Sequence, residues 1–136
     1  MQCNERRTIV YTAIIGSIPP KKRTQRNRNH YYIRKSGEVV NTRPLSRIGA
    51  HAKGYNRNSI GICYEGGLDK DGKPKDTRTS EQRAALRRLI IELQLRFPGC
   101  KVCGYRDLSP DLNRNGKIEP HEWAKQCPCF DVATDL

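Results

Sequence analysis

The sequence predicts an α/β fold, a mixed central β-sheet flanked by helices, on three observations. Short runs rich in β-branched and aromatic residues, bounded by Gly, Pro and Asn, recur through residues 8–67. One long stretch, 80–97, changes to the helical period. A further short run at 100–105 follows it, so the order is strand, hairpin, strand, helix, strand, which calls for a sheet with helices packed on it.

"TIVYTAII" (8–15) reads as the first strand, stopped by Gly16 and the Pro19-Pro20 pair. It follows two arginines, but its β-branched residues alternate with polar ones, so it is read as a strand and not as a leader peptide. "KKRTQRNRN" (21–29) has five Lys or Arg among its first eight residues and nothing apolar to bury, which makes 17–29 a basic loop. "HYYIRKSGEVVN" (30–41) is a hairpin turning at Ser36-Gly37. "SIGICYEGG" (59–67) is nearly continuous in apolar residues and therefore central in the sheet. In the helix, Ala85, Leu86, Leu89, Ile90, Leu93 and Phe97 share one face, Thr79 and Gln82 form a capping-box pair, and Pro98-Gly99 ends it.

With 136 residues the chain fits a single domain, 1–136, with the low hydrophobic content of 35% set against 29% charged residues. No apolar run is long enough to span a bilayer. The net charge of +12 asks for an anionic partner, and nucleic acid, acidic membrane and anionic cell-wall polymer all satisfy it.

Cysteines fall at 3, 63, 100, 103, 127 and 129. Cys63 sits in the apolar strand and reads as a buried, inert thiol. A Cys₄ zinc site from Cys100, Cys103, Cys127 and Cys129 is the alternative for the two pairs, but Cys100 and Cys103 on one strand face opposite sides. His30, His51 and His121 belong to separate elements, and no nucleophile pair is suggested by spacing.

Residues 111–122, "DLNRNGKIEPHE", fit the calcium-loop pattern D-x-[DN]-x-[DN]-G-x5-E. Asp111, Asn113 and Asn115 offer side-chain oxygens, and Gly116 allows the sharp turn. Lys117 offers a carbonyl, Glu119 the next ligand directly or through water, and Glu122 a bidentate carboxylate. A metal-free turn of the same shape is the alternative; if Ca²⁺ binds, the site is structural.

"GAHAKGYNRNSIGICYEGG", read with "RDLSPDLNRNGKIEP.EW.K.CPCFD", resembles the type 2 N-acetylmuramoyl-L-alanine amidases, a family that includes small phage lysozyme-type amidases and shares its fold with animal peptidoglycan recognition proteins. The likeness is densest over 30–132. It implies a mixed sheet flanked by helices and a groove for muramyl peptide, faced here by His51, Lys53, Tyr55 and Asn56. It also implies a Zn²⁺ held by two histidines and a cysteine, which activates water against the amide joining the lactyl group to L-alanine.

Carried onto this chain, the resemblance puts the cysteine ligand at Cys127 and the catalytic lysine at Lys125. It puts Tyr11 and Tyr105 at the two histidine positions and Asn29 at that of the catalytic tyrosine. A phenol with an ordinary pKa of about 10 is a poor zinc ligand at neutral pH. Cys103, two residues before Tyr105, is a candidate replacement ligand. The resemblance therefore implies a monomer that recognises peptidoglycan fragments with weak or absent hydrolysis through a degenerate zinc site. An active zinc amidase of the endolysin type is the alternative. A nucleic-acid-binding or regulatory module, favoured by the charge and by the basic residues near Tyr31 and Tyr32, is the second alternative. With no clear signal peptide, the chain is expected to stay cytoplasmic until released to the cell wall, and to come from a phage or mobile element.

If 111–122 binds Ca²⁺, the ion raises the melting temperature, by an amount corresponding to about 2.7 kcal/mol at a hundredfold excess over Kd. Glu122→Gln removes most of that gain, as read by thermal unfolding with and without Ca²⁺. An unchanged curve for the native chain retires the loop as a metal site.

Overall fold

A strand that is apolar at nearly every position needs cover on both faces and a neighbour on each edge. In the computed structural model, which describes residues 12–18, 28–51, 56–108, 114 and 128–132 (backbone alone at 12, 17 and 18), Ser59–Glu65 meets that requirement. The elements are β1 (Thr12–Ile18), β2 (Tyr31–Ile33), β3 (Val39–Asn41), β4 (Ser59–Glu65), one long helix α1 (Ser80–Arg96) and β5 (Lys101–Gly104). The sheet order is β3-β2-β4-β1-β5, so β4 is the middle strand. Pairings β2–β4, β4–β1 and β1–β5 are parallel, while β3 runs antiparallel to β2 as the expected hairpin. This is the mixed α/β sheet that the sequence predicts.

The first strand differs from its sequence reading. Gly16 does not stop it: β1 continues to Ile18, with Gly16 opposite Cys63 and Ile18 opposite Glu65. A glycine weakens a strand, but the parallel ladder to β4, which continues through Gly16, Ser17 and Ile18, outweighs the local preference. Residues 8–11, the start expected for that strand, lie outside the described residues, as does most of the basic loop.

The helix begins as its sequence predicts. The Thr79 hydroxyl accepts from Gln82 N at 3.1 Å, and Gln82 Oε1 accepts from Thr79 N at 2.9 Å. Gln82 is fully buried, and its Nε2 donates to the carbonyls of Ile33 and Glu65 at 3.2 and 2.9 Å. One side chain thus closes the helix cap and ties α1 to the ends of β2 and β4. At the other end Gly99, with φ +86°, takes the left-handed turn that leads into β5.

The main core lies between α1 and one face of the sheet. Ala85, Leu86, Leu89, Ile90 and Leu93 meet Ala13, Ile15, Ile60, Ile62 and Tyr64 there, with Cys100. The opposite face carries Ile14, Gly61, Cys63 and Tyr32, and Ile14, Cys63 and Tyr32 are buried too. Cys100 joins the main core while Cys103 pairs with Ile14 on the other face, the opposed orientation expected from strand alternation.

Residues 128–132 are fastened across the sheet. The Tyr64 hydroxyl donates to the Pro128 carbonyl at 2.6 Å, and the Cys129 thiol donates to the Gly67 carbonyl at 3.3 Å. Phe130 packs on Tyr64 and beneath the Arg78 guanidinium, which lies 3.4 Å from the ring centroid and is paired with Asp76. Gly104 is required here, since a Cβ would come within 2.7 Å of Pro128 Cδ. No helix among the described residues is long and apolar enough to cross a membrane.

Gln82→Leu keeps the apolar volume but leaves Thr79 N and two strand-end carbonyls without their partner. A loss of roughly 2 kcal/mol in urea unfolding is expected. Gln94→Leu, at an exposed site on the same helix, changes stability by less than about 0.5 kcal/mol.

Candidate functional site

The stretch 48–61, "IGAHAKGYNRNSIG", builds a histidine cluster on the sheet face opposite α1. Ile60 and Ile62 point into the main core, so the intervening Gly61 faces the other way. With no Cβ it leaves a flat patch of backbone, and the His51 ring and the Asn29 amide lie over that patch. A Cβ at Gly61 would approach His51 Cδ2 to 2.5 Å and Asn29 Oδ1 to 2.8 Å. A Cβ at Gly49 would meet the His51 ring at 2.5 Å and His30 Cε1 at 3.0 Å. Two glycines therefore make the slot in which His51 sits.

Its neighbours are held from several elements. His30 Nδ1 accepts from Gly61 N at 3.0 Å, and Nε2–H donates to the Arg47 carbonyl at 2.8 Å, which fixes that ring as the neutral Nε2–H tautomer. The two imidazoles meet edge to face, with centroids 5.9 Å apart and planes at 72°. Asn56 Oδ1 accepts from His51 N at 3.0 Å, and the Ser59 hydroxyl lies 3.3 Å from His51 Nε2. Thr42 Oγ1 donates to the Asn29 carbonyl, and Arg43 Nη1 to that of Ile48, so the hairpin and the loop brace each other.

Both rings are neutral at pH 7. Burial lowers the pKa of His30, and the nearby Arg43 lowers it further against the raising effect of the Arg47 carbonyl. Burial, then His30, then Arg43 push His51 down to about 4. His51 Nδ1 is buried and has no hydrogen-bond partner among the described residues, but the described groups around it are not a metal donor set. His30 already uses both nitrogens, and Ser59 and Asn29 are neutral. The cluster offers hydrogen-bonding and stacking surface, rimmed by the exposed Arg28, Arg47 and Arg57.

Of the expected metal positions, Tyr105 is described and lies at the end of β5. Tyr105 opens a 3-10 turn, Tyr105–Leu108, directly after β5 and is half-buried. Asp107 Oδ2 accepts from Gly104 N at 2.8 Å and closes that turn. Ile15 pairs with Gly104, so the β1 residue level with Tyr105 is Gly16. Cys103 does not present a ready thiolate, because burial and the Asp107 carboxylate push its pKa up to about 11. Among the described residues no group of three or more His, Cys, Asp or Glu side chains converges on a point where a metal ion fits.

Of the residues singled out by sequence, the structure thus brings together His51, Asn56 and Asn29, and sets Tyr105 at the neighbouring strand end. Tyr11, Lys53, Tyr55, Lys125 and Cys127 lie outside the described residues, as do the calcium-loop residues Asp111, Asn113, Asn115, Lys117, Glu119 and Glu122. Arg114, the described residue of that loop, adopts φ 58°, a left-handed turn conformation. Sequence reasoning missed Ser59, Gly49 and Gly61 as builders of the histidine slot. A glycine inside an apolar strand was the available signal.

A mixed sheet with four parallel strands, a covering helix and a polar cluster on its far face defines an α/β domain with a candidate site on that face. The comparisons make this specific. The profile of the N-acetylmuramoyl-L-alanine amidase family matches residues 5–129, and the chain belongs to that family. A Haemophilus influenzae protein of uncharacterised function is 50% identical over 96 residues, 71% of this chain and 83% of that protein. The endolysin of Klebsiella phage KP32 is 35% identical over 103 residues, 76% of this chain but 59% of the endolysin's length. The N-acetylmuramoyl-L-alanine amidase LysC from Clostridium intestinale superposes with a TM-score of 0.62 at 22% identity, covering 83% of this chain and 80% of LysC, which establishes a common fold.

The family is generally zinc-dependent. Of the three positions where a ligand is expected, only Tyr105 lies among the described residues, and it would have to bind as a phenolate.

His51 has a folded-state pKa of about 4, below its ordinary 6.5, so the unfolded chain takes up the proton first. The stability due to neutral His51 is complete above about pH 6.5 and is lost as pH falls toward about 4. His30 acts in the same direction. Thermal midpoints should therefore fall through this window, and less steeply in His51→Gln. An equal slope in that variant assigns the acid sensitivity elsewhere.

Proposed function

We propose that the protein binds muramyl peptide through the His51 cluster and the strand-end cleft beside it, with weak or absent hydrolysis of the MurNAc–L-alanine amide. The observation that carries the reading is the contrast between the two halves of this face. The His51 half is ordered by the fold: His51 is slotted between Gly49 and Gly61, with Asn56 and Ser59 within hydrogen-bond reach of it, and the hairpin braces the loop. The other half has tyrosines, Tyr11 and Tyr105, at the two positions where the resemblance implies metal histidines.

The chemistry of the built half suits this ligand. Muramyl peptides combine a sugar, amide groups and free carboxylates. Neutral imidazole, carboxamide and hydroxyl groups satisfy the first two, and exposed arginines at the rim favour the carboxylates. Asn29, at the position of the catalytic tyrosine, is 8% exposed and contributes an amide without an acidic O–H. Asn56 belongs to the same cluster, and the family resemblance adds Lys53 and Tyr55 to this surface and Lys125 and Cys127 as remnants of the catalytic side.

An active amidase is the second reading, favoured by 35% identity to a phage endolysin over 103 residues. Nucleic-acid binding rests on the net charge and on the basic residues near Tyr31 and Tyr32.

The purified chain should co-sediment with peptidoglycan sacculi and release little or no peptide from them. His51→Ala should weaken sedimentation at least about tenfold, the loss expected when roughly 1.4 kcal/mol of contact is removed, without lowering helical content by circular dichroism. Equal binding to sacculi and to DNA, abolished alike by moderate salt, sinks the reading in favour of charge alone. Zinc-dependent peptide release from the native chain sinks it in favour of the enzyme.

A further inference from the structure

We propose that the outer edge of β5 and the groove beside α1 dock an extended partner segment of alternating apolar and acidic residues. This edge of the sheet is the one away from the hairpin, and it uses none of the residues assigned to muramyl peptide. The proposal therefore stands apart from the function proposed above.

β5 is an edge strand. It pairs with β1 on one side, and among the described residues no strand pairs with the other. The backbone groups along such an edge are a template for a further strand. Beside it runs a groove of about 650 Å³ whose wall is α1. Cys100 and Val102 turn toward the helix and make the floor with Ile90, while Ile91, 53% exposed, stands at the rim. A strand added to the edge directs alternate side chains to opposite faces, so every second one lies over this apolar floor. Main-chain pairing then supplies affinity, and the groove selects the side chains.

Charge decides the occupant. Lys101, between Cys100 and Val102, is exposed and alternates to the opposite face of the strand. Arg87 lines the groove from the helix, and no described residue lining it is acidic. Neither cation enters an ion pair among the described residues. The acids of α1 sit on its other flank: Glu81 packs beside Gly37 of the hairpin, and Glu92 acts electrostatically on Tyr31 of β2. Asp107 lies close to Cys103, at the other end of β5, so a partner carboxylate belongs opposite Lys101. A carboxylate there stabilises the cross-strand pair, and a second cation destabilises it. Self-association at this edge brings two lysine-bearing strands and two chains of net charge +12 together, which favours an acidic partner over a second copy.

The test uses the full chain and a labelled, end-capped peptide of about six alternating Glu and Val residues, the usual strand length. Fluorescence anisotropy should show saturable binding, at least about tenfold tighter than for the Lys-Val counterpart. Lys101→Glu should remove that preference, and Ile91→Asp should weaken the Glu-Val peptide at least about tenfold. Methylating the alternate peptide amides that face β5 should abolish binding, while methylating the other set should leave it unchanged. His51→Ala should bind the peptide as the native chain does, and Lys101→Glu should still co-sediment with sacculi. Absence of saturable binding overturns the proposal. Equal effects of the two methylation patterns, or an unchanged preference in Lys101→Glu, overturn it in favour of net charge. A dimer in sedimentation velocity that Ile91→Asp dissolves assigns the edge to a second copy and overturns it too. Both substitutions change exposed side chains, and circular dichroism checks their folding; if either variant fails to fold, the methylated peptides decide on the native chain.

Discussion

Burial of β4 on both faces is the constraint from which the other features follow. Ser59 to Tyr64 are all buried, so the strand needs α1 on one side and a second layer of contacts on the other. Ile60, Ile62 and Tyr64 anchor the helix, while Gly61 and Cys63 form the floor of the opposite face. The two glycines after the strand, Gly66 at φ +138° and Gly67 at φ +100°, take backbone conformations closed to most side chains. They turn the chain away from the sheet, and the Gly67 carbonyl then receives the Cys129 thiol.

The same strand explains why a polar loop abuts a core strand. His51 needs a flat apolar floor and neutral surroundings, and a central strand with a glycine supplies both. Asn56 and Ser59 flank it from the segment that leads into that strand. The loop is thereby positioned by backbone geometry, with little left to side-chain freedom. A site of this kind persists when reactive groups elsewhere on the face change, because its supports belong to the fold and not to the chemistry. This separation of recognition from reaction makes a binding protein on an amidase scaffold physically reasonable.

The strand-end cleft has the opposite character. Its described positions come from two distant parts of the chain, β1 and the turn after β5, which the parallel β1–β5 pairing brings near one another. There β1 continues through Gly16 to Ile18.

The sequence by itself determined the elements whose signals are local. The Thr79–Gln82 capping box, the helical face of α1, the Ser36-Gly37 hairpin and the central apolar strand are all written in neighbouring residues, and each appears as predicted. The motifs over 30–132 likewise carried the amidase family. Tertiary structure alone decided where β1 ends, that Gln82 also spans β2 and β4, and that Gly49 and Gly61 form the slot for His51. It alone set Gly16 level with Tyr105. The physical reason is that a parallel pairing leaves no mark in either strand: the residues that share a level are joined by backbone hydrogen bonds, which every sequence can make, and only the packed sheet selects one register from the many that the chain allows.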